Sequence, residues 1–424
     1  METMSLWWRR IWQSVLLFFF IYSFHLSYFG IPDEIHTGRI AVILSVILAV
    51  VSGNKKNLNK RTTGWKSFKS IINVHVFLLF YSVILIMLWG MGTGQHVITF
   101  IVNMFLFCFV PIYTFVLIFD SVDDFAHAIL GATIIQSLFV AGSLIDPSFR
   151  AAIDLIFNNF ARNESLRESY AGGLACISAP GAIKFSMGLM ACFYFILKQG
   201  KLKYYFLYFY LSLLCAMIAR TGLILSLVGI LLLFIFNILV VKNVGRSIKT
   251  LLAIFALFYI SILIISSSQL NVLTSGAIDV YLNKFVALEN GGTANWMDKY
   301  FDGTTTVIPP ISFETIIGTG MIDGISGNGI KINADGGFFR LYAAYGLLIA
   351  VFFYLFLLIQ LLRCAHNTKQ KYIMYTLLLL TSYIIIGEFK EFVVYGIYIL
   401  VIFYVLAILG QKCDIDRGAV SRGK

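Results

Sequence analysis

Long apolar runs, broken by short charged stretches, recur along almost the whole chain. A helix of around 20 mostly apolar residues crosses a hydrocarbon layer roughly 30 Å thick, so the length of these runs carries more meaning than their periodicity. On that basis the sequence predicts spans over 11–29, 38–52, 71–90, 97–119, 125–144, 179–198, 203–219, 221–241, 249–267, 337–362, 372–387 and 391–410, about twelve in all. Inside a bilayer every backbone amide must find its partner within the protein, which favours helices. The expected fold class is an all-α polytopic integral membrane protein, residues 1–424 forming a single transmembrane domain. Tyr204 to Val241 is too long for one span, and the sequence predicts two short helices joined at Arg220-Thr221-Gly222.

Two polar stretches interrupt the pattern. In the first, 145–178, Phe149, Ile153, Ile156, Phe157 and Phe160 recur at helical spacing beside Arg150 and Asp154, which predicts an amphipathic helix on the membrane surface. The second, 268–336, is polar and glycine-rich, with Trp296, Tyr300 and Phe301 near its middle. Loops of that length usually carry function.

Composition removes the soluble alternatives, since 59% of the residues are hydrophobic and 12% are charged, and the mean hydropathy is +0.86. Arg9 and Arg10 precede the first run, and no small-residue cleavage pattern follows, so an uncleaved first span is expected. With the amino terminus inside, 21 of the 32 lysines and arginines fall in segments on the cytoplasmic side. That bias predicts both termini in the cytoplasm and the two polar loops on the opposite face. The net charge of +11 then reflects orientation and gives no reason to expect nucleic acid as a partner. One inner turn departs from the pattern, with Asp120, Asp123 and Asp124 and no base. The six cysteines fall mostly in apolar or inner segments, so no disulfide framework is expected.

Five arginines stand against the orientation bias: Arg150, Arg162 and Arg167 in the first loop, Arg220 at the helix turn, and Arg340 just inside the span after the second loop. Planar guanidinium groups grip phosphate oxygens bidentately. The same residues also suit snorkelling to headgroups, or pairing with Asp146, Asp154, Glu164 and Glu168. Asp335 lies five residues before Arg340, close enough to serve one substrate as a base; it fits equally well as a helix N-cap. Ile317-Gly318-Thr319-Gly320 admits two readings, a backbone cradle for an anion or a turn. Trp296 and Tyr300 can stack on sugar rings or simply pack. The dispersed histidines, His75 and His127 at inner ends of spans among them, show no metal-ligand spacing, and neither a metal nor a cofactor is expected.

These features together resemble the Wzy-type polymerases of O-antigen and other surface polysaccharides. The resemblance rests on the span layout, on Ala219-Arg220-Thr221-Gly222, and on Ile317-Gly318-Thr319-Gly320 followed by Asp335-Gly336-Gly337-Phe338-Phe339-Arg340 and Tyr345-Gly346-Leu347. Arg167 to Gly172-Gly173 is similar more loosely. It covers the whole chain as layout and about 40 residues as motif. The resemblance implies a GT-C-like membrane glycosyltransferase in a bacterial inner membrane, its site facing the periplasm. Undecaprenyl-diphosphate-linked glycans would be donor and acceptor, membrane lipid the surroundings, and a chain-length regulator and a flippase the partners. Arg220, Asp335 and Arg340 would then be catalytic, with Arg150, Arg162, Arg167, Trp296 and Tyr300 holding substrate. Two alternatives stay open. An O-antigen ligase shares the architecture but calls for a histidine that 268–336 lacks. A lipid-linked oligosaccharide flippase or transporter would use charges within its spans.

Overall fold

The computed structural model describes residues 6–26, 36–52, 62–157, 174, 178–242, 245, 311–322, 324–325, 331–332, 336–391, 393–396 and 398–422, with the backbone alone at some of them, Arg220 included. The first half of the chain forms α1 (Leu6–Ile21), α2 (Thr37–Ser52), α3 (Thr63–Trp89), α4 (Met91–Met104), α5 (Val110–Ile118), α6 (Val122–Ile145) and α7 (Pro147–Phe157). A wide turn of helix over Phe105–Phe109 joins α4 to α5, so that Val97–Ile118 runs as one rod. Then come α8 (Ser178–Gln199), α9 (Leu202–Ile218) and α10 (Arg220–Phe236), the last extended to Val241 by a second wide turn. Beyond the second polar stretch lie α11 (Phe313–Ile317), α12 (Gly337–Tyr345), α13 (Leu347–His366), α14 (Lys371–Lys390), α15 (Val393–Gly396) and α16 (Ile399–Arg422). The sole ladder among the described residues is a two-residue antiparallel pair, Gly324 opposite Ile332 and Ile325 opposite Lys331.

Seven of these rods are long and apolar enough to cross a membrane, and α2, α9 and Ile399–Gln411 are shorter apolar helices. The outside of the bundle supports the same reading. Large apolar side chains such as Val50, Phe80, Met87, Leu231 and Leu355 are more than half exposed, a distribution suited to lipid and costly in water. The centre is formed by α8 and α16, whose residues from Phe185 to Phe195 and from Ile399 to Leu409 are almost wholly buried. The described residues are thus almost entirely helical, and their long apolar helices mark a membrane-embedded protein.

Several predicted boundaries move. The first span, expected over 11–29, ends as a helix at Ile21. The last, expected over 391–410, is a short α15 followed by α16. The expected span 337–362 is two helices, because Gly346 breaks it with φ 90°. Span 249–267 lies outside the described residues. His75 lies mid-helix, since α3 begins eight residues earlier than predicted, and it packs edge-on between Phe109 and Phe353. His127 stands over Phe195 with ring centroids 4.3 Å apart. Cys364, expected in an inner segment, is buried in α13.

The acidic turn before α6 has a local physical cause. Ser121 caps the helix by accepting from the Asp124 amide, and Asp123 and Asp124 occupy the first turn, where the helix dipole favours negative charge. Neighbouring helices then supply cations to two of the three acids. Arg9 of α1 meets Asp120 at 2.5 Å, and Lys198 of α8 pairs with Asp123, which also accepts from the Tyr194 hydroxyl at 2.6 Å. Lys198 stands over the Tyr372 ring at 5.8 Å, and Gln411 bridges the start of α3 to the end of α13 through Gly64 N–H and Cys364 C=O. One end of the bundle, the basic end, gathers these residues. Because both partners of Arg9–Asp120 are partly exposed, Arg9→Gln is expected to cost less than about 1 kcal/mol in an unfolding titration. A loss above about 2 kcal/mol would mean the pair organises α1 against α6 rather than merely decorating it.

Candidate functional site

At the opposite end, α12 is held from two sides. From one side comes the segment Ile317–Gly320. The Thr319 and Gly320 amides donate to the Ala343 and Ala344 carbonyls at 2.8 and 3.0 Å, and the Gly318 amide donates to Glu314. Two side chains of α3 pin the same segment, Tyr81 donating to the Ile317 carbonyl at 2.6 Å and Trp89 to the Gly318 carbonyl at 2.8 Å. The crossing is possible because Gly318 and Gly346 lie against each other's backbones: a Cβ on Gly346 would come within 2.2 Å of the Ile316 oxygen, and one on Gly318 within 2.5 Å of the Tyr345 carbonyl carbon. With its amides already engaged, Ile317–Gly320 is a structural clasp, and the anion-cradle reading of these glycines loses to the turn reading.

From the other side comes the end of α14. The Gly337 amide donates to the Glu391 carbonyl at 3.3 Å, and Phe338 packs on Tyr354 and Phe389 with centroids 4.3 and 4.9 Å apart. Between these helices sits Glu388, which is 1% exposed. Its carboxylate accepts from the Tyr354 hydroxyl at 2.6 Å on one oxygen and from the Val394 amide on the other. The half-buried Arg340 lies within electrostatic reach of that carboxylate. A cavity of about 420 Å³ opens beside Glu388, lined by α12, α13 and α14, and apolar apart from Glu388 and the tyrosines Tyr342 and Tyr354. Its walls descend along α13 from Leu347 to Leu361, roughly 20 Å at 1.5 Å per residue. The arrangement is a buried carboxylate in the wall of an oily slot, with a cation within its electrostatic reach.

Arg220 is the first residue of α10, at the tight turn after Ala219. Gly222 makes that turn possible, since a Cβ there would come 2.0 Å from the Cys215 carbonyl oxygen. The Cys215 thiol donates to the Ala182 carbonyl at 3.3 Å, which ties the turn to the start of α8, and α8 and α10 both pack on α14. The backbone of Arg220 therefore belongs to the same end of the bundle as Arg340. Arg150 lies on α7, half-buried, its amide donating to the Asp146 carbonyl at 3.0 Å. Asp335, Arg162, Arg167, Trp296 and Tyr300 lie outside the described residues.

A second basic group occupies this end between α1, α2 and α8. His25 and His36 stand 6.1 Å apart, Arg39 lies 5.3 Å over the Phe107 ring, and Lys184 is 5% exposed. Burial, together with the neighbouring Arg39, His25 and Lys184, pushes the His36 imidazole down to about 4, so it is neutral at physiological pH.

Sequence reasoning missed Glu388 and Tyr354. A signal existed: Glu388 directly follows the apolar run 372–387, one residue past the predicted end, where it passed for the start of a loop. An acid at the end of an apolar run costs energy unless it is paired. Compared with protein-family models and with curated proteins, the sequence matches none.

Proposed function

We propose that the protein is a membrane glycosyltransferase that joins undecaprenyl-diphosphate-linked repeat units into a surface polysaccharide, on the periplasmic face of a bacterial inner membrane. The observation that carries this reading is the buried Glu388 in the wall of the apolar cavity, with Arg340 within electrostatic reach of it. A lipid-linked diphosphate needs a fixed cation at the membrane boundary and a dry slot for hydrocarbon directly beneath it. In this reading Arg340 is the cation and the cavity between α12, α13 and α14 is the slot.

In the proposed reaction an acceptor sugar hydroxyl attacks the anomeric carbon of the donor. The bond to the diphosphate oxygen breaks, and its electron pair leaves with the diphosphate. Arg340, with Arg220 from the neighbouring turn, offsets the charge that develops there. The hydroxyl proton goes to a carboxylate. Asp335 keeps that role, because both oxygens of Glu388 already accept hydrogen bonds and suit it better to orienting Arg340 and Tyr354. Arg150, Arg162, Arg167, Trp296 and Tyr300 remain proposed contacts for the second diphosphate and the sugars.

The rival with an observation in its favour is a transporter of the same lipid, since Lys184 and Glu388 are charges buried within apolar rods. The position of the helix break favours the enzyme. α13 has 20 residues and spans about 30 Å alone, so Gly346 breaks the chain at the boundary rather than at the midplane, where transporter helices are typically interrupted. Chain extension in proteoliposomes decides between them. Purified protein given its lipid-linked repeat unit without nucleotide is expected to produce a ladder of longer lipid-linked products, and Asp335→Ala is expected to lose it. Movement of the lipid across the bilayer with no ladder would replace the enzyme by the transporter.

A further inference from the structure

The basic end holds a cavity that this reaction does not use. It has a volume of about 830 Å³ and is formed by the hairpin between α13 and α14. Arg363, His366, Lys369 and Lys371 line it, and none of its lining residues is acidic. The hairpin is braced from within: Thr368 donates through Oγ1 to the Cys364 carbonyl at 2.9 Å, and Asn367 through Nδ2 to the Arg363 carbonyl at 2.8 Å. These bonds engage two of the carbonyls in the last turn of α13. Part of the cavity wall is hydrocarbon, made of Leu362, Met374 and Leu378, with Leu362 43% exposed.

Basic residues near a membrane surface are ordinary where positive charge marks the retained side. A concave site is different, because cations on two helices face one space while an apolar wall continues from it along the bundle. A free anion would be served by the cations alone. A ligand with a charged head and a hydrocarbon chain uses both surfaces, and basic pockets of this kind between membrane helices suit anionic lipid headgroups.

We propose that this cavity binds an anionic phospholipid of the adjoining leaflet, its phosphodiester against Arg363, Lys369 and Lys371 and its acyl chain along Leu362, Met374 and Leu378. His366 adds a donor at the rim. The proposal stands independently of the glycosyltransferase reading, since its test measures bound lipid and needs no turnover.

The full chain in detergent is titrated with phosphatidylglycerol, with phosphatidylcholine, or with inorganic phosphate, and retained lipid is counted by native mass spectrometry beside the shift in melting temperature. Wild type is expected to retain phosphatidylglycerol in preference to phosphatidylcholine and to respond little to phosphate. Replacing Arg363, Lys369 and Lys371 together by Gln is expected to weaken that retention by about tenfold or more. Lys201→Gln with Lys203→Gln removes two exposed cations from the same end, outside the cavity, and is expected to change nothing. The charge-preserving set Arg363→Lys, Lys369→Arg and Lys371→Arg is expected to keep the lipid. Equal retention of phosphatidylcholine, equal loss in the Lys201 and Lys203 variant, a full response to phosphate alone, or loss in the charge-preserving set would each overturn the proposal.

Discussion

Arg340→Ala is expected to lower the rate of chain extension by about a hundredfold to a thousandfold, the usual cost of deleting one fixed donor aimed at a developing oxyanion. The loss should fall on kcat with KM little changed, because the charge on the leaving diphosphate grows as the glycosidic bond breaks. Arg340→Lys keeps a charge but loses the planar fork, and an intermediate loss of roughly tenfold is expected. Arg340→Lys keeps the charge near the buried Glu388 and should melt near wild type, whereas Arg340→Ala takes that charge away and should melt somewhat lower, so its rate is compared at a temperature where both are folded. If Arg340→Ala extends chains at the wild-type rate, the diphosphate is held elsewhere, and the cavity beside Glu388 loses its proposed role.

Gly346→Val is expected to be the most disruptive single change among the described residues to the end of the bundle that carries the site. The backbone at Gly346 has φ 90°, a conformation that a β-branched residue adopts only with strain, and the new side chain would collide with the carbonyls of Ile316 and Ile317. Both faults act at a packed crossing, so a loss on the order of 3 kcal/mol or more is expected in an unfolding titration. Chain extension should fall with it, because the Ile317–Gly320 clasp holds the helix that carries Arg340. Gly318→Ala attacks the same crossing from the other strand, with φ 112° and a clash against Tyr345. The double variant should cost clearly less than the sum, since either change alone already opens the crossing. Full additivity would show that the two glycines serve separate contacts.

Which parts of this molecule were legible in its sequence follows from where the determining forces lie. Runs such as 71–90, 125–144 and 221–241 announce their helices, because crossing a bilayer demands length and apolarity and both are local properties. The turn at Arg220 was legible for the same reason: one helix cannot occupy 38 residues of bilayer, and the lone arginine marks the joint. The break at Gly346 was not legible. Its glycine sits in an apolar run that reads as one span, and the need for it arises from a segment nearly thirty residues earlier in the chain crossing over it. Ile317–Gly320 shows the same limit, since only the carbonyls of Ala343 and Ala344 decide between cradle and clasp. Glu388 was hidden because its partners Tyr354 and Val394 lie on other helices. The acids before α6 looked like an exception to the charge rule until Arg9 and Lys198 came to face them, contacts that no local pattern encodes.

The short length of α9 has a consequence for the membrane itself. Its 17 residues rise only about 25 Å, against a hydrocarbon thickness of roughly 30 Å, and the helix is bracketed by Lys201 just before it and Lys203 in its first turn, and by Arg220 after it. Neither flank can sink into oil, so the bilayer has to come to the protein: lipids around this helix shorten their reach by a few ångströms, or the cations stretch outward to their headgroups. A dimple of that kind lowers the water boundary toward the turn that carries Arg220. On the proposed function, a carrier lipid drifting in the plane would arrive there with its headgroup already near the depth of that turn, and the climb out of the bilayer that a thicker patch would impose becomes correspondingly shorter.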